Sequence, residues 1–225
     1  MSEQNLVLTG MILKVMPVGE YDKRIILLSR ERGKVTGFVR GARRAKSSLQ
    51  AASNLFVFGR FEAYEGRSAY TIVKAEVRHY FREIAADYDR TCYGSYFLEL
   101  ADYFCVEQMD AAAHLNLLYV TLQAMLRGKT DLRLIRRVYE LRMLYLNGTY
   151  PDFFTEGEIT KPFRMDPGPT ARYTLQYIVS APVSRLYAFT LKPEVFDEVD
   201  TIIGRLIGLY VDRPLNTVQF LKDST

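Results

Sequence analysis

The chain has 225 residues, of which 48% are hydrophobic and 25% charged, and its formal net charge is +4. This length and composition allow one large domain or two small ones, with a core that needs no disulfide or metal support. Cys92 and Cys105 are the only cysteines, which excludes a disulfide framework and favours two buried core thiols. No membrane-spanning run and no signal-peptide pattern occur, so a cytoplasmic location is expected.

Five short β-strands are predicted in the first 80 residues. Pro17 and Gly19 end the first strand, and Gly33 and Gly66 supply the tight turns of two hairpins. A longer link separates the third strand from the fourth, which is the strand order of an OB barrel. The pattern alone would fit an SH3-like barrel nearly as well. The predicted strands cover residues 6–15, 24–29, 34–41, 54–64 and 68–77.

From about residue 81 the apolar residues recur at helical spacing. A stretch rich in proline and glycine interrupts this pattern, so we predict a small irregular insertion over residues 152–180. The sequence therefore predicts an α+β protein of two domains. A five-stranded OB-type β-barrel occupies residues 1–80, and an all-helical domain occupies residues 81–225. The predicted helices cover residues 87–107, 111–128, 130–151 and 193–212.

Positive charge is concentrated in the predicted barrel. Residues 1–80 carry 14 Lys or Arg against 7 Asp or Glu, whereas residues 81–225 carry 16 against 19. Between Lys23 and Lys46 there are nine basic residues and a single acid, Glu31. A basic region on an otherwise near-neutral chain indicates a polyanionic partner for that region.

The basic side chains of the second and third strands would converge on one face, because these strands are neighbours in a small barrel. Converging Lys and Arg side chains form the kind of groove that binds a nucleic-acid backbone. The small residues of "RGARRAKSS" (residues 40–48) would let phosphates approach the loop closely. Phe38 and Tyr70 are candidate platforms for base stacking, although both residue types are common in cores. The plain alternative is a solvated loop that only adds solubility.

A second group of arginines lies on the third predicted helix. Arg133, Arg136 and Arg137 share one helical face, and Arg142 follows. This spacing is typical of a solvated face, and a second interpretation is a site for an acidic peptide. "RGKTD" (residues 127–131) ends like a phosphate-binding P-loop, but position 123 is Gln and a helix precedes it. We therefore reject a P-loop here, and no other motif in the sequence predicts catalysis.

Several ordered segments resemble a known family. In the predicted barrel they are "GEYDKRIILLSRERGK", "RGARRAKS" and "YEGRSAYTIVKAE", and further along the chain they are "RVYELRMLYLNGTYPDF" and "RPLNTVQFL". These segments are similar to the bacterial DNA repair protein RecO family, and the match spans nearly the whole chain. The resemblance implies an OB fold followed by a helical domain.

The resemblance also implies a function and its partners. Family members bind single- and double-stranded DNA, anneal strands, and with RecR help RecA to load on strands covered by single-stranded DNA-binding protein (SSB). The acidic C-terminal tail of SSB is an implied partner of the helical domain, with Arg136, Arg137 and Arg142 as its candidate contacts. The DNA contacts that the resemblance implies are Arg24, Lys34, Arg40, Arg43, Arg44 and Lys46.

One departure from the family pattern concerns metal. Many members carry a four-cysteine zinc site just after the position of "GTYPDF", whereas residues 153–173 here contain neither Cys nor His. A structural zinc therefore cannot form there, and no metal or cofactor is expected. We expect burial of Phe153, Phe154, Phe163 and Tyr173 to hold this segment instead.

The sequence therefore predicts a non-enzymatic DNA-binding mediator of recombination, located in the cytoplasm and at the nucleoid during repair. Annealing requires that phosphate repulsion between two strands be screened while their bases stay free, which an arginine-lined barrel face can supply. One alternative is a protein-interaction adaptor that does not bind DNA and whose basic loop docks an acidic partner. Another is a nucleic-acid enzyme with a site that the sequence does not reveal.

Overall fold

The first part of the chain is a closed five-stranded barrel. The computed structural model describes residues 5–149 and 167–222. Turns join the first strand to the second and the second to the third, a longer segment leads to the fourth, and a tight turn joins the fourth to the fifth. The strands are β1 (Asn5–Val18), β2 (Asp22–Ser29), β3 (Gly33–Val39), β4 (Phe58–Glu65) and β5 (Tyr70–His79).

The order of the strands around the barrel is β1-β2-β3-β5-β4. Neighbouring strands are antiparallel except β3 and β5, which run parallel where Gly37 pairs with Tyr70 and Phe38 with Thr71. This is the OB order, so the OB prediction is confirmed and the SH3-like alternative is wrong.

Alternating side chains fill the barrel. Along β3 buried and half-buried residues alternate strictly, as expected of a strand with one face on a core. Gly33 begins this strand with φ +66°, a backbone conformation that residues with a Cβ rarely adopt. The barrel core is made of large apolar side chains, among them Leu8, Ile12, Ile25, Leu27, Val35, Phe61 and Ile72.

Helices form the second part of the chain. Asp87 and Asp131 cap two of them, because their side chains accept hydrogen bonds from the backbone N–H groups of Arg90 and Arg133. A short helix, α1 (Leu49–Ala52), lies between β3 and β4. The others are α2 (Arg82–Ala85), α3 (Tyr88–Phe104), α4 (Ala112–Arg127), α5 (Leu132–Leu146), α6 (Pro169–Ser180), α7 (Pro193–Tyr210) and α8 (Val218–Lys222).

Helix α5 is the centre of the helical part. It packs against α3, α4, α6 and α7. Its side chains Val138, Tyr139 and Leu141 are completely buried, and the Tyr139 hydroxyl donates a hydrogen bond to the carbonyl of Phe97 on α3. Within residues 5–149 and 167–222, no helix has both the length and the apolar character that crossing a bilayer demands.

The predicted irregular insertion is wrong at its C-terminal end, where Pro169–Ser180 forms α6. Residues 152–166 of that insertion, with Phe153, Phe154 and Phe163, lie outside the described part of the chain. The helix escaped prediction because its Thr, Tyr, Ile and Val residues have low helix propensity, and packing of Leu175 and Ile178 stabilises it instead. The expected burial of Tyr173 is also wrong, since 67% of its surface is exposed.

The barrel and the helices share an interface. Met11, Leu13 and Leu28 from β1 and β2 belong to the same buried cluster as the helical core. The β2–β3 hairpin also pairs with the segment after α3, because the Lys34 N–H donates to Val106 O at 3.0 Å and the Gln108 N–H to Arg32 O at 2.8 Å. The helical part therefore covers one end of the β2–β3 hairpin and leaves the other end open.

Candidate nucleic-acid interface

The open end of the hairpin carries the basic link between β3 and α1. This link, residues 40–48, is fastened to the β1–β2 turn: the Arg43 N–H donates to Tyr21 O at 2.8 Å, and Arg43 Nη1 donates to Gly19 O at 3.1 Å. The Gly41 N–H donates to the Asp22 carboxylate at 2.8 Å, and Gly41 has φ +65°. Two short turns thus hold one another at the end of the barrel.

Positive side chains project from this end of the barrel. None of them has an ion-pair partner among residues 5–149 and 167–222, and all are exposed. Arg24 extends the group onto β2, where it lies directly opposite Phe38 of β3. We call this group the basic face, and its residues are Arg24, Arg40, Arg43, Arg44 and Lys46.

Two lysines of the same sequence cluster have internal partners instead. Lys23 Nζ donates to Gln50 O, Ser53 O, Ser53 Oγ and Asn54 Oδ1 at 2.8–3.3 Å, and so fixes the end of α1. Burial lowers the pKa of Lys23, and the nearby positive charge of Arg43 lowers it further. The lysine therefore fixes the segment that follows the basic link.

Lys34 lies at the other end of the hairpin. Its Nζ is 3.2 Å from Asp102 Oδ1 on α3, and it donates to the carbonyl of the same residue. Lys34 pairs with Leu28 of β2, which is four residue steps along the strand from Arg24. These steps span about 13 Å, so Lys34 is far from the basic face. The structure therefore brings together five of the six candidate DNA contacts and places Lys34 in the interface with the helices.

The two candidate stacking residues have different environments. Tyr70 is 6% exposed and belongs to the barrel core, so it cannot serve as a platform. Phe38 is half-buried on the outer face beside Arg24. Sequence reasoning missed Tyr21, which is 44% exposed. The guanidinium carbon of Arg44 lies over its ring, 5.1 Å from the ring centroid. The sequence signal that could have identified Tyr21 as a stacking residue is its position in a turn between the charged residues Glu20 and Asp22.

The electrostatics of the basic face suit a phosphate chain. Asp22, the nearest acid on β2, accepts the Gly41 N–H, which leaves Glu20 in the β1–β2 turn as the exposed carboxylate. A hydrogen bond with Glu20 raises the pKa of Tyr21. The five cations of the basic face, which have no ion-pair partner in the described part of the chain, can neutralise phosphates. The exposed Tyr21 ring and the half-buried Phe38 ring beside them can stack on unpaired bases.

The arginines of α5 have mostly internal partners. The buried carboxylate of Glu140 lies 2.8 Å from Arg136 Nε and 2.7 Å from Arg137 Nη1. Arg137 Nε also lies 2.7 Å from the carboxylate of Asp200 on α7. Arg142 Nη1 donates to the carbonyls of Ile178 and Val179 at the end of α6. These contacts join α5 to its neighbours.

Arg133 is the exposed arginine of that helix. It pairs with Asp131 at 3.4 Å, and its guanidinium lies 5.2 Å from the ring centroid of Phe196. It also lines a groove of about 390 Å³ between α5 and the start of α7, whose apolar wall includes Leu134, Leu191 and Phe196. The carboxylates of Asp131 and Asp197 also line this groove, so the exposed arginine lies between apolar surface and two acids, an arrangement that helical spacing alone did not reveal.

Comparison with known proteins agrees with this architecture. The family model for the N-terminal part of recombination protein O matches residues 1–81, and the model for its C-terminal part matches residues 85–219. DNA repair protein RecO of Acetivibrio thermocellus is 25% identical over 238 residues, covering 95% of both chains, and that of Symbiobacterium thermophilum is 26% identical over 239 residues, covering 94% of both. The Alkaliphilus metalliredigens protein is 32% identical over 142 residues, which are 63% of this chain and 58% of that protein.

The fold and the basic face together define an OB-barrel protein with an attached helical bundle. The two family matches cover nearly all of it. The chain belongs to the recombination protein O (RecO) family, a class of DNA repair and recombination proteins.

Proposed function

We propose that this chain is a DNA-binding mediator of recombination and not an enzyme. In this proposal the basic face binds single- and double-stranded DNA and anneals complementary strands. With RecR the protein assists RecA to load on SSB-coated strands, in the cytoplasm at the nucleoid. The observation that carries the proposal is the convergence, at the open end of the barrel, of five cations that have no ion-pair partner among residues 5–149 and 167–222.

The physical argument rests on phosphate neutralisation. Each phosphate contact releases counterions, which gives a log–log salt slope of about −0.7 for each contact with single-stranded DNA. Five contacts would give a slope of about −3.5. Because such binding leaves the base edges free, two screened strands can pair without any catalytic residue.

The test is fluorescence anisotropy of a labelled single-stranded oligonucleotide over a salt series. Arg43→Glu/Arg44→Glu should weaken binding and make the slope shallower by about 1.4, the share of two contacts. The matched control is Arg127→Glu/Arg205→Glu, which changes the net charge equally at two exposed positions of the helical part. The control variant should bind much more tightly than the test variant.

Equal binding by both variants and the wild type would contradict the proposal. So would the absence of DNA binding at low salt. Either result would favour the adaptor alternative, in which the basic face docks an acidic protein. Turnover of DNA in the presence of Mg²⁺ would contradict the non-enzymatic part.

We also propose that the helical part binds the acidic C-terminal tail of SSB in the groove beside Arg133. Arg136 and Arg137 are held by the buried Glu140 and by Asp200, whereas Arg133 is exposed beside an apolar wall. Its pair with the exposed Asp131 is a surface contact of little energy, which an acidic peptide can replace. Arg136, Arg137 and Arg142 stay predicted contacts of the SSB tail, and we expect each to contribute less to its binding than Arg133. A labelled SSB tail peptide should bind Arg133→Ala more weakly than Arg127→Ala, and equal binding would contradict this location.

A further inference from the structure

A second basic site lies between the barrel and helix α4. The cleft there has a volume of about 500 Å³, which is in the range of clefts that hold small ligands. Its walls come from the middle of β1, the turn after β2, the start of β4, the end of β5 and the first two turns of α4. The lining residues are Thr9, Arg30, Phe58, Arg78, Ala112, Ala113, Leu115, Asn116 and Tyr119.

The charge inside this cleft is uncompensated. Arg30 and Arg78 are exposed, have no ion-pair partner in the described part of the chain, and are the only charged residues of the lining. Glu31 lies near the cleft, but its Oε2 accepts the Thr9 N–H at 2.8 Å. Two guanidinium groups that face an open cleft without a carboxylate between them are suited to a phosphate.

The same cleft contains aromatic surface. Phe58 and Tyr119 are half-buried, with ring centroids 4.7 Å apart. Behind them Phe81 packs against Tyr119 at 5.6 Å, which fixes the Tyr119 ring. A ring held in this way beside a cation can stack on an unpaired base, and Asn116 adds an amide that can bond to a base edge.

The cleft is separate from the basic face. Arg24 lies near the start of β2 and Arg30 directly follows its last residue, and the six residue steps between them span about 20 Å. Thr9 and Phe58 lie on β1 and β4, whereas the basic face uses β2 and the link after β3. One strand that occupies the basic face therefore does not block the cleft.

We propose that this cleft is a second binding site for single-stranded DNA, which holds one unstacked nucleotide of a second strand. Its phosphate lies against Arg30 and Arg78, and its base stacks on Tyr119. This inference rests on the proposed DNA-binding function and deepens it. With two sites, one chain can hold two strands at once, which brings complementary strands together for annealing.

The experiment is a stoichiometric titration with a labelled oligothymidylate of about eight nucleotides at low salt. Wild type should bind two oligonucleotides per chain. Arg30→Ala/Arg78→Ala and Arg43→Glu/Arg44→Glu should each bind one, and the combination of all four substitutions should bind none. Arg127→Ala/Arg205→Ala, which removes the same charge elsewhere, should still bind two. Unchanged circular dichroism and unfolding midpoints exclude misfolding as the cause of any loss.

A second readout follows the cleft alone. The chain has no tryptophan, so Tyr119→Trp introduces a single probe at the proposed stacking position. In the Arg43→Glu/Arg44→Glu background the oligonucleotide should quench its emission, and adding Arg30→Ala/Arg78→Ala should abolish the quenching.

The outcomes separate the two proposals. One oligonucleotide per wild-type chain, lost only with Arg43→Glu/Arg44→Glu, would overturn the second site and leave the proposed function in place. No binding by any variant would overturn both. Quenching by an acidic peptide but not by the oligonucleotide would assign the cleft to a protein partner and overturn the nucleotide site.

Discussion

At the scale of single residues, Glu140 shows how a charged side chain of this chain stabilises the fold. It is completely buried, and it accepts hydrogen bonds from the Tyr96 hydroxyl at 2.5 Å, Arg136 Nε at 2.8 Å and Arg137 Nη1 at 2.7 Å. Burial alone would lower the pKa of Arg137, but the charges and hydrogen bonds of Glu140 and Asp200 outweigh it and raise that pKa. The carboxylate thus bridges two cations inside the helical part, and Asp200 supplies the second negative charge.

We expect Glu140→Gln to destabilise the protein strongly. The substitution keeps the shape of the side chain but leaves the largely buried Arg136 without its counter-charge and Arg137 with Asp200 alone, which costs about 3–5 kcal/mol. Urea unfolding at neutral pH measures the loss. Glu194→Gln at the exposed start of α7 serves as the control and should change the stability by less than about 0.5 kcal/mol. A loss below about 1 kcal/mol for Glu140→Gln would contradict this account.

The sequence carried part of this information. The spacing of Arg133, Arg136 and Arg137 predicts that they share a helical face, and they do lie on α5. That Glu140 would be buried beneath two of them could not be read from spacing, because burial depends on the distant partners Tyr96 and Asp200. The acidic-peptide hypothesis for Arg136 and Arg137 arose because a helical pattern does not show which arginines already have a partner.

At the scale of elements, local signals were sufficient for most strands and helices. Turn glycines and alternating side chains located the five strands, and apolar periodicity located α3, α4, α5 and α7. Helix α6 was missed because its own residues favour a helix weakly and its stability comes from packing. Gly33 shows the opposite case: its turn role was predictable, but a Cβ there would also lie 2.3 Å from Val106 O, a contact set by the helical part.

At the scale of the whole molecule, Asp102 of α3 joins the two parts of the chain. Its carboxylate is 2.7 Å from Lys14 Nζ of β1, 3.2 Å from Lys34 Nζ of β3 and 3.9 Å from Arg213 Nη2. Burial would raise the pKa of Asp102, but hydrogen bonds and charges from Lys14 and Lys34 outweigh it, so the pKa is lowered. The ion pairs therefore favour the charged carboxylate in the folded state.

This lowered pKa predicts a defined pH dependence. The stabilisation by Asp102 is fully present above the unfolded-state pKa of about 3.9 and is lost as the pH falls through the lower folded-state pKa. Asp102→Asn should therefore be less stable than wild type by about 1–3 kcal/mol at pH 7. The difference should begin to shrink below about pH 4, where the unfolded chain binds the proton first, and should be lost only when the folded carboxylate is also protonated at lower pH.

Urea unfolding of both proteins at several pH values between neutral and strongly acidic conditions measures this difference. Asp89→Asn, on the exposed side of the same helix, is the matched control and should show little change at any pH. A difference between wild type and Asp102→Asn that stays constant down to the most acidic condition would show that shape, and not charge, links the parts.

The sequence by itself determined the class of fold, the excess of positive charge in the barrel and the resemblance to the RecO family. These properties depend on local spacing, composition and residue order. The tertiary structure decided which Lys and Arg side chains are available to a partner. Within the part of the chain that the structure describes, it paired Lys23 and Lys34 internally and opened a second basic cleft beside α4. Among the same residues it left five side chains without an ion-pair partner, namely Arg24, Arg40, Arg43, Arg44 and Lys46. Partners distant in sequence decide whether a charge is neutralised, and only the folded chain brings them together.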